Sequence, residues 1–166
     1  MNDLVNTLDE AERVTINEIM QSSFLPANVF EKYCSWSDDC YTRNCIVNNE
    51  KFELILLCWQ PGQITPIHDH GGQECWVKVI QGSFKENIYT LDHSGELILK
   101  ESTIASVNDC TYMDDHIGYH SLENVSKGKS MSLHLYSKPI QTCNLYDSET
   151  RKFMSKEMVY DTIFDS

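Results

Sequence analysis

The chain has 166 residues, of which 41% are hydrophobic and 23% are charged, and its formal net charge is −12. Such a length and composition predict one globular domain that spans residues 1–166. The acidic balance argues against nucleic acid and anionic membrane surfaces as partners, because both select for basic patches.

Two further features concern the cellular compartment. No stretch approaches the roughly 20 consecutive apolar residues of a membrane span, and the acidic N-terminus resembles neither a secretory signal nor a transit peptide. The seven cysteines are odd in number and lack the paired C-x-x-C spacing of a zinc site. We therefore expect a cytoplasmic protein with mostly free thiols, acting as a monomer.

Residues 1–35 are predicted to form a helical cap. Apolar residues recur at helical spacing over residues 2–22, Pro26 ends that unit, and residues 27–34 suggest a second short helix. The simplest interpretation is a helix pair that packs its apolar stripe against the rest of the protein, so we assign no chemistry to it.

From residue 40 onward the pattern changes to short β-rich runs separated by turn residues. Many short strands at close spacing are typical of an antiparallel sandwich or barrel. The strands are predicted at residues 40–47, 52–59, 75–81, 84–91, 97–102, 111–113, 119–123 and 131–137. The predicted fold is therefore mainly β, a small jelly-roll-like β-barrel with its core at residues 40–143 and an N-terminal helical cap.

Two histidines one residue apart, His68 and His70, lie in the glycine-bounded stretch of residues 62–82. Alternate side chains of a β-strand share a face, so both imidazoles are expected to point the same way. The pair provides two of the ligands that a metal site needs. With six histidines in the chain, however, this spacing can also arise by chance.

A third metal ligand has to come from another strand. His120 begins an alternating apolar run that could point it inward, whereas His116 is ambiguous and His93, in a turn-like stretch, is better explained as exposed. His134 alternates with leucines, which places His134 and Tyr136 on one face of a strand.

The stretch of residues 62–82 resembles the first signature motif of the cupin barrels. In that motif the residue after a four-residue spacer is normally a glutamate ligand, and here it is Cys75. Glu74 is one position out of register, so strand alternation places it on the opposite face. The run from His120 to Asn124 resembles the end of the second cupin motif.

A cupin with three histidines and a cysteine in the glutamate position resembles the cysteine dioxygenases. The likeness extends to YTRN at residues 41–44, LLCW at 56–59, GYHSLEN at 118–124, and SLHLYS at 132–137 followed by TC at 142–143. It covers roughly residues 41–143 in the family's order, whereas the first forty residues and the C-terminal tail match only loosely.

This resemblance implies an enzyme that binds Fe(II) through His68, His70 and His120 and oxidises the thiol of L-cysteine with O2 to cysteine sulfinic acid, on the hypotaurine and taurine route. Three neutral histidines leave about three of six coordination positions open for substrate and O2. The alternatives are a dioxygenase of another small thiol, such as 3-mercaptopropionate, and a non-catalytic metal-binding cupin. Ligand identity alone would equally allow zinc.

The resemblance also implies residues that bind the substrate. Arg43 is the candidate for the substrate carboxylate, since a guanidinium offers it a planar fork, and Tyr41 lies on the same strand face. An isolated arginine on a strand is more often a solvated surface charge, and the YTRN likeness reverses that interpretation. The related mercaptopropionate dioxygenases usually have glutamine here, so Arg43 favours cysteine.

The remaining residues implied by the resemblance are Cys75, His134 and Tyr136, which are assigned to catalysis. Cys75 and Tyr136 would form a thioether crosslink beside the iron, and His134 would hydrogen-bond the Tyr136 hydroxyl, both side chains also contacting substrate. The simpler alternative is a buried thiol and a tyrosine that never react. The family's usual Ser-Pro-Pro is replaced by Ser137-Lys138-Pro139, where a cis bond before lysine would cost about 3 kcal/mol.

Overall fold

The computed structural model describes residues 1–164 and confirms a mainly β protein with helices at its N-terminus. The helices are α1 (Asn2–Glu10) and α2 (Arg13–Ser22), followed by a 3-10 helix at Ala27–Tyr33. The continuous helical pattern over residues 2–22 is interrupted because Ala11 and Glu12 adopt extended backbone angles. Each short helix can then turn its own buried residues towards the sheet, Leu4 and Leu8 from α1 and Met20 from α2.

Eleven strands follow within the described residues, and the first eight correspond to the eight predicted runs. The strands are β1 (Thr42–Asn48), β2 (Glu53–Trp59), β3 (Cys75–Gln81), β4 (Ser83–Leu91), β5 (Leu97–Ser106), β6 (Cys110–Met113), β7 (Tyr119–Asn124), β8 (Ser130–Tyr136), β9 (Thr142–Asp147), β10 (Lys152–Glu157) and β11 (Thr162–Ile163). The sequence interpretation did not predict β9, β10 or β11.

The strands form three sheets that are not closed into a barrel. A six-stranded sheet has the order β11-β1-β2-β8-β3-β6, a three-stranded sheet has the order β5-β4-β7, and β9 pairs with β10. The pairing of β1 with β11 is parallel, and the other pairings between these strands are antiparallel.

Both faces of the six-stranded sheet are covered, which explains why β2 reads as an unbroken apolar run after Glu53. On one face Leu54 and Leu56 pack with the helices, and on the other Ile55 and Leu57 pack in a cluster that includes residues of β4 and β7. Burying a leucine or isoleucine side chain contributes roughly 1.5–3 kcal/mol, so the alternation fixes which side chains of β2 face the second sheet. The candidate site lies on this second face.

Two observations concern the peptide bond before Lys138 and the possibility of a membrane span. Among residues 1–164 no peptide bond is cis, including the bond before Lys138. In the same part of the chain, no helix is long and apolar enough to cross a bilayer.

Candidate metal centre

Three histidines converge at one point of the inner face. His68 lies in the segment before β3 and forms a backbone bridge with His120 of β7, with N–H to carbonyl distances of 3.0 Å in both directions. His70 lies next to them, and the available side-chain nitrogens of the three residues are all within 4.8 Å of one another. The structure therefore brings together the three histidines that the sequence singled out.

Two of these imidazoles are held by a hydrogen bond on the outer ring nitrogen. His68 Nδ1 lies 2.9 Å from the Pro66 carbonyl oxygen, and His120 Nδ1 lies 2.7 Å from Glu86 Oε1 in a buried pair. A carbonyl or carboxylate acceptor places the proton on Nδ1 and leaves Nε2 with a free lone pair. This is the usual arrangement for histidines that ligate metals.

His70 supplies the clearest sign of a missing partner. The residue is 1% exposed, and neither ring nitrogen has a hydrogen-bond partner among the described residues. Leaving a buried polar group unsatisfied costs about 1–3 kcal/mol, so such groups call for an explanation. A metal ion shared with His68 and His120 would satisfy one of these nitrogens.

The electrostatics favour neutral imidazoles at His68 and His70. Burial, with repulsion from His120 as a smaller contribution, lowers the pKa of His68 to about 3 and the pKa of His70 well below its ordinary value. Metal ligation requires the neutral form of histidine. Three convergent imidazole nitrogens, two of them with lowered pKa values, therefore fit a divalent transition metal ion.

Two aspartates hold the loop that carries the histidine pair. Asp115 accepts backbone N–H bonds from His70 at 2.8 Å and from Gly72 at 2.6 Å. Asp69 accepts the backbone and side-chain N–H groups of Asn144 on β9, at 2.8 Å and 2.6 Å. Sequence reasoning missed these supports, and their only local signal was the acidic stretch that contains Asp115.

A cavity of about 350 Å3 adjoins the histidines. Its lining includes His68 and His120 of the histidine cluster and residues 156–159 and 161 from the C-terminal part of the chain. The residues singled out from the sequence that line it are Tyr41, Arg43, His68, His120, His134 and Tyr136. The rings of Tyr41 and Trp59 stack with centroids 4.5 Å apart, which fixes Tyr41 at the wall.

Arg43 is a buried cation with spare hydrogen-bonding capacity. The residue is 8% exposed, and its Nε donates to the Val159 carbonyl oxygen at 3.1 Å. Its Nη2 is buried and has no partner among the described residues. A guanidinium on the cavity wall with a free N–H group can bind a small carboxylate.

Cys75 and Tyr136 are direct cross-strand partners on β3 and β8, and both are buried. Burial raises the pKa of the Cys75 thiol well above its ordinary value, and a hydrogen bond with Tyr136 offsets this in part. The two residues thus lie opposite one another in the β3–β8 pairing, and in this structure Cys75 is a free thiol.

The environment of His134 differs from the expectation. His134 Nε2 lies 2.9 Å from Ser132 Oγ, which also accepts the indole N–H of Trp59 at 2.9 Å. The hydrogen bonds found in residues 1–164 include none between His134 and the Tyr136 hydroxyl. Ser132 precedes His134 by two residues on β8, so the alternation of the strand could have identified it.

Comparisons with known proteins identify the family to which the chain is related. The family model described as cysteine dioxygenase type I matches residues 1–149. Cysteine dioxygenase type 1 from Homo sapiens is 35% identical over 86% of this chain and 73% of its own length. The protein of that name from Danio rerio is 31% identical over 96% of this chain and 85% of its own length.

A solved structure supports the fold alone. A protein with a double-stranded β-helix domain from Klebsiella pneumoniae superposes with a TM-score of 0.57 at 15% identity, over 75% of this chain and 91% of that one. The double-stranded β-helix is the cupin architecture, in agreement with the predicted fold class. Because the family model spans most of the sequence and curated relatives exceed 30% identity, the chain belongs to the cysteine dioxygenase type I family of enzymes.

Proposed function

We propose that this protein is a non-haem Fe(II)-dependent dioxygenase that converts L-cysteine and O2 to cysteine sulfinic acid. The observation that carries the proposal is the unpartnered, buried His70 within a three-histidine cluster. The reaction adds both oxygen atoms of O2 to one sulfur, so its balance requires no external reductant. The seven free cysteines support a reducing, cytosolic setting for this step in cysteine catabolism.

In this proposal His68, His70 and His120 hold the iron. When bound, iron supplies a cationic centre that lowers the pKa of a thiol, together with the redox chemistry of oxygen transfer. The protein contributes the neutral imidazoles, and the acceptors at Pro66 and Glu86 keep two of them in the ligating tautomer.

The cavity residues bind and orient the substrate. The free Nη2 of Arg43 pairs with the substrate carboxylate and fixes the position of the sulfur relative to the histidines. Tyr41, His134 and Tyr136 shape the polar wall, while Leu57 and other apolar side chains of the lining limit the access of water.

Substrate choice tests the proposal directly. Fe(II)-loaded protein should consume O2 with L-cysteine, more slowly with 3-mercaptopropionate, and not with cysteamine, which lacks a carboxylate for Arg43. Arg43→Gln should raise KM for L-cysteine by about 10–100-fold, as expected for the loss of a charge-assisted hydrogen bond. Absence of O2 uptake with every thiol would refute the enzyme assignment in favour of a non-catalytic metal-binding cupin.

We also propose that Cys75 and Tyr136 become joined by a thioether bond during turnover. The new bond joins the sulfur to the phenol ring, two hydrogens are lost, and O2 is the oxidant. Intact-mass analysis before and after turnover should reveal a species lighter by two hydrogens. The same shift in Cys75→Ser, which has no sulfur at this position, would contradict the assignment.

A further inference from the structure

A buried carboxyl group that the proposed reaction does not use is hydrogen-bonded to the C-terminal segment that also holds Arg43. Glu53 begins β2 and is 0% exposed. It pairs in register with Tyr136 of β8 and with Asn48 of β1. By strand alternation its side chain lies on the same face as Ile55 and Leu57, which is the face of the cavity.

The Glu53 carboxylate is satisfied chiefly by a phenol from the C-terminal segment. The Tyr160 hydroxyl donates to Glu53, and the same hydroxyl oxygen accepts the Asn48 side-chain N–H at 2.8 Å. A longer bond of 3.4 Å comes from the Ile140 backbone N–H. The phenol is therefore held between one donor and one acceptor in a fixed orientation.

The residues on either side of Tyr160 hold Arg43. The Val159 carbonyl accepts the Arg43 Nε–H at 3.1 Å, and the Asp161 carboxylate accepts the Arg43 backbone N–H at 2.8 Å. The Asp161 N–H donates to the Arg43 carbonyl at 2.8 Å. Tyr160 is thus the central residue of a clamp on Arg43, and it lies beyond residue 149, where the family-model match ends.

Glu53 would also compete with the substrate carboxylate for the Arg43 guanidinium. Each of the two groups affects the pKa of the other, yet among the described residues they form no ion pair within 4.0 Å. A buried carboxylate that loses its main hydrogen-bond donor attracts a neighbouring guanidinium more strongly. In this structure Tyr160 supplies the donor, and Arg43 Nη2 stays free on the cavity wall.

We propose that Tyr160 is a positioning residue that satisfies the Glu53 carboxylate and thereby keeps the Arg43 guanidinium available to the substrate carboxylate. The inference rests on the proposed function for the role of Arg43 in substrate binding. It predicts weaker binding of L-cysteine when the Tyr160 hydroxyl is removed. Binding should recover when the Glu53 charge is removed as well.

The kinetic test compares Tyr160→Phe with the double variant Tyr160→Phe/Glu53→Gln. Tyr160→Phe should raise KM for L-cysteine by about tenfold, the equivalent of one hydrogen bond, and leave kcat within about twofold. The double variant should recover most of the affinity, because a neutral amide no longer draws the guanidinium away. Tyr89→Phe, which removes a phenol outside the cavity lining, is the matched control and should leave both constants unchanged.

A second measurement does not depend on turnover. The chain has three arginines, and the side chains of Arg13 and Arg151 are 57% and 70% exposed, so a slowly exchanging Nε–H resonance in the NMR spectrum of 15N-labelled protein belongs to Arg43. Tyr160→Phe should shift this resonance, and the double variant should return it towards its original position.

The two measurements distinguish failure of the positioning role of Tyr160 from failure of the proposed function. An unchanged KM and an unchanged Arg43 resonance in Tyr160→Phe would overturn the positioning role, as would a double variant no better than the single one. If the wild-type protein oxidises no thiol, the proposed function fails, whereas the arginine resonance still decides whether Tyr160 controls Arg43. Thermal melts of each variant verify that it is folded.

Discussion

At the scale of single residues, Glu53 combines complete burial with an ionisable group. Burial raises its pKa from the ordinary 4.5 to about 7, and the attraction of Arg43 offsets this only in part. The folded state therefore binds the proton more tightly than the unfolded state. As the pH rises from about 4.5 to about 7, the free energy of unfolding should fall by about 3 kcal/mol in total. Above this interval the loss stays constant.

This loss of stability should disappear when the carboxyl is replaced by an amide. Denaturant unfolding of the wild-type protein and of Glu53→Gln, between about pH 5 and pH 8, isolates the contribution of this one group. Relative to the wild type, the free energy of unfolding of Glu53→Gln should increase as the pH rises across this range. A difference between the two proteins that stays constant with pH would contradict a raised pKa for Glu53.

The three clustered histidines show how much a sequence reveals about single residues without a structure. The spacing of His68 and His70 predicted a shared direction, and the family likeness identified His120. The hydrogen-bond partners that orient these histidines could not be predicted from the sequence. Glu86 contacts His120 through the pairing of β4 with β7, and Asp115 binds the His70 N–H from a distant loop. Hydrogen-bond partners depend on tertiary contacts that local patterns do not encode.

At the scale of elements, the loop between His70 and β3 depends on two adjacent glycines in the left-handed region. The φ angles are +58° for Gly71 and +83° for Gly72. A Cβ atom at Gly71 would lie 2.2 Å from the backbone oxygen of Thr142 at the start of β9, whereas one at Gly72 would meet nothing within 4 Å. Both positions require left-handed backbone, but only Gly71 also packs against another strand.

The two alanine variants should therefore differ although the chemical change is identical. Gly72→Ala should cost about 1–2 kcal/mol of stability from backbone strain alone. Gly71→Ala adds a clash with backbone, so its loss should be larger, about 3 kcal/mol or more, and it should also weaken metal binding by displacing His70. Denaturant unfolding and metal titration of the two variants test this, and equal losses would argue against a close approach of β9 at Gly71.

The strands themselves show where sequence patterns suffice. Alternation and turn residues predicted β1 to β8, because most of these strands bury at least one regular face. The later strands were missed for a physical reason. β9 and β10 are largely half-buried or exposed, and β11 has two residues that pair with the distant β1. Their apolar signal is therefore weak, although residues 156–159 and 161 complete the cavity.

At the scale of the whole molecule, the metal would connect parts of the fold that are far apart in the sequence. His68 and His70 lie before β3 of the six-stranded sheet, and His120 belongs to β7 of the three-stranded sheet. The unfolded chain does not assemble these three nitrogens, so metal binding should stabilise the folded state. A metal concentration of one hundred times Kd would contribute about 2.7 kcal/mol.

For a chain of this length that contribution corresponds to an increase in Tm of about 5–10 °C. Anaerobic melts of the metal-free protein with and without Fe(II) measure it directly, without any turnover. His70→Ala removes the ligand that has no other partner, so its Tm should respond little to Fe(II). A shift of equal size in His70→Ala would place the bound metal elsewhere. The melt therefore tests the metal centre separately from the reaction: a Tm increase that needs His70, in a protein that oxidises no thiol, would indicate a metal-binding cupin.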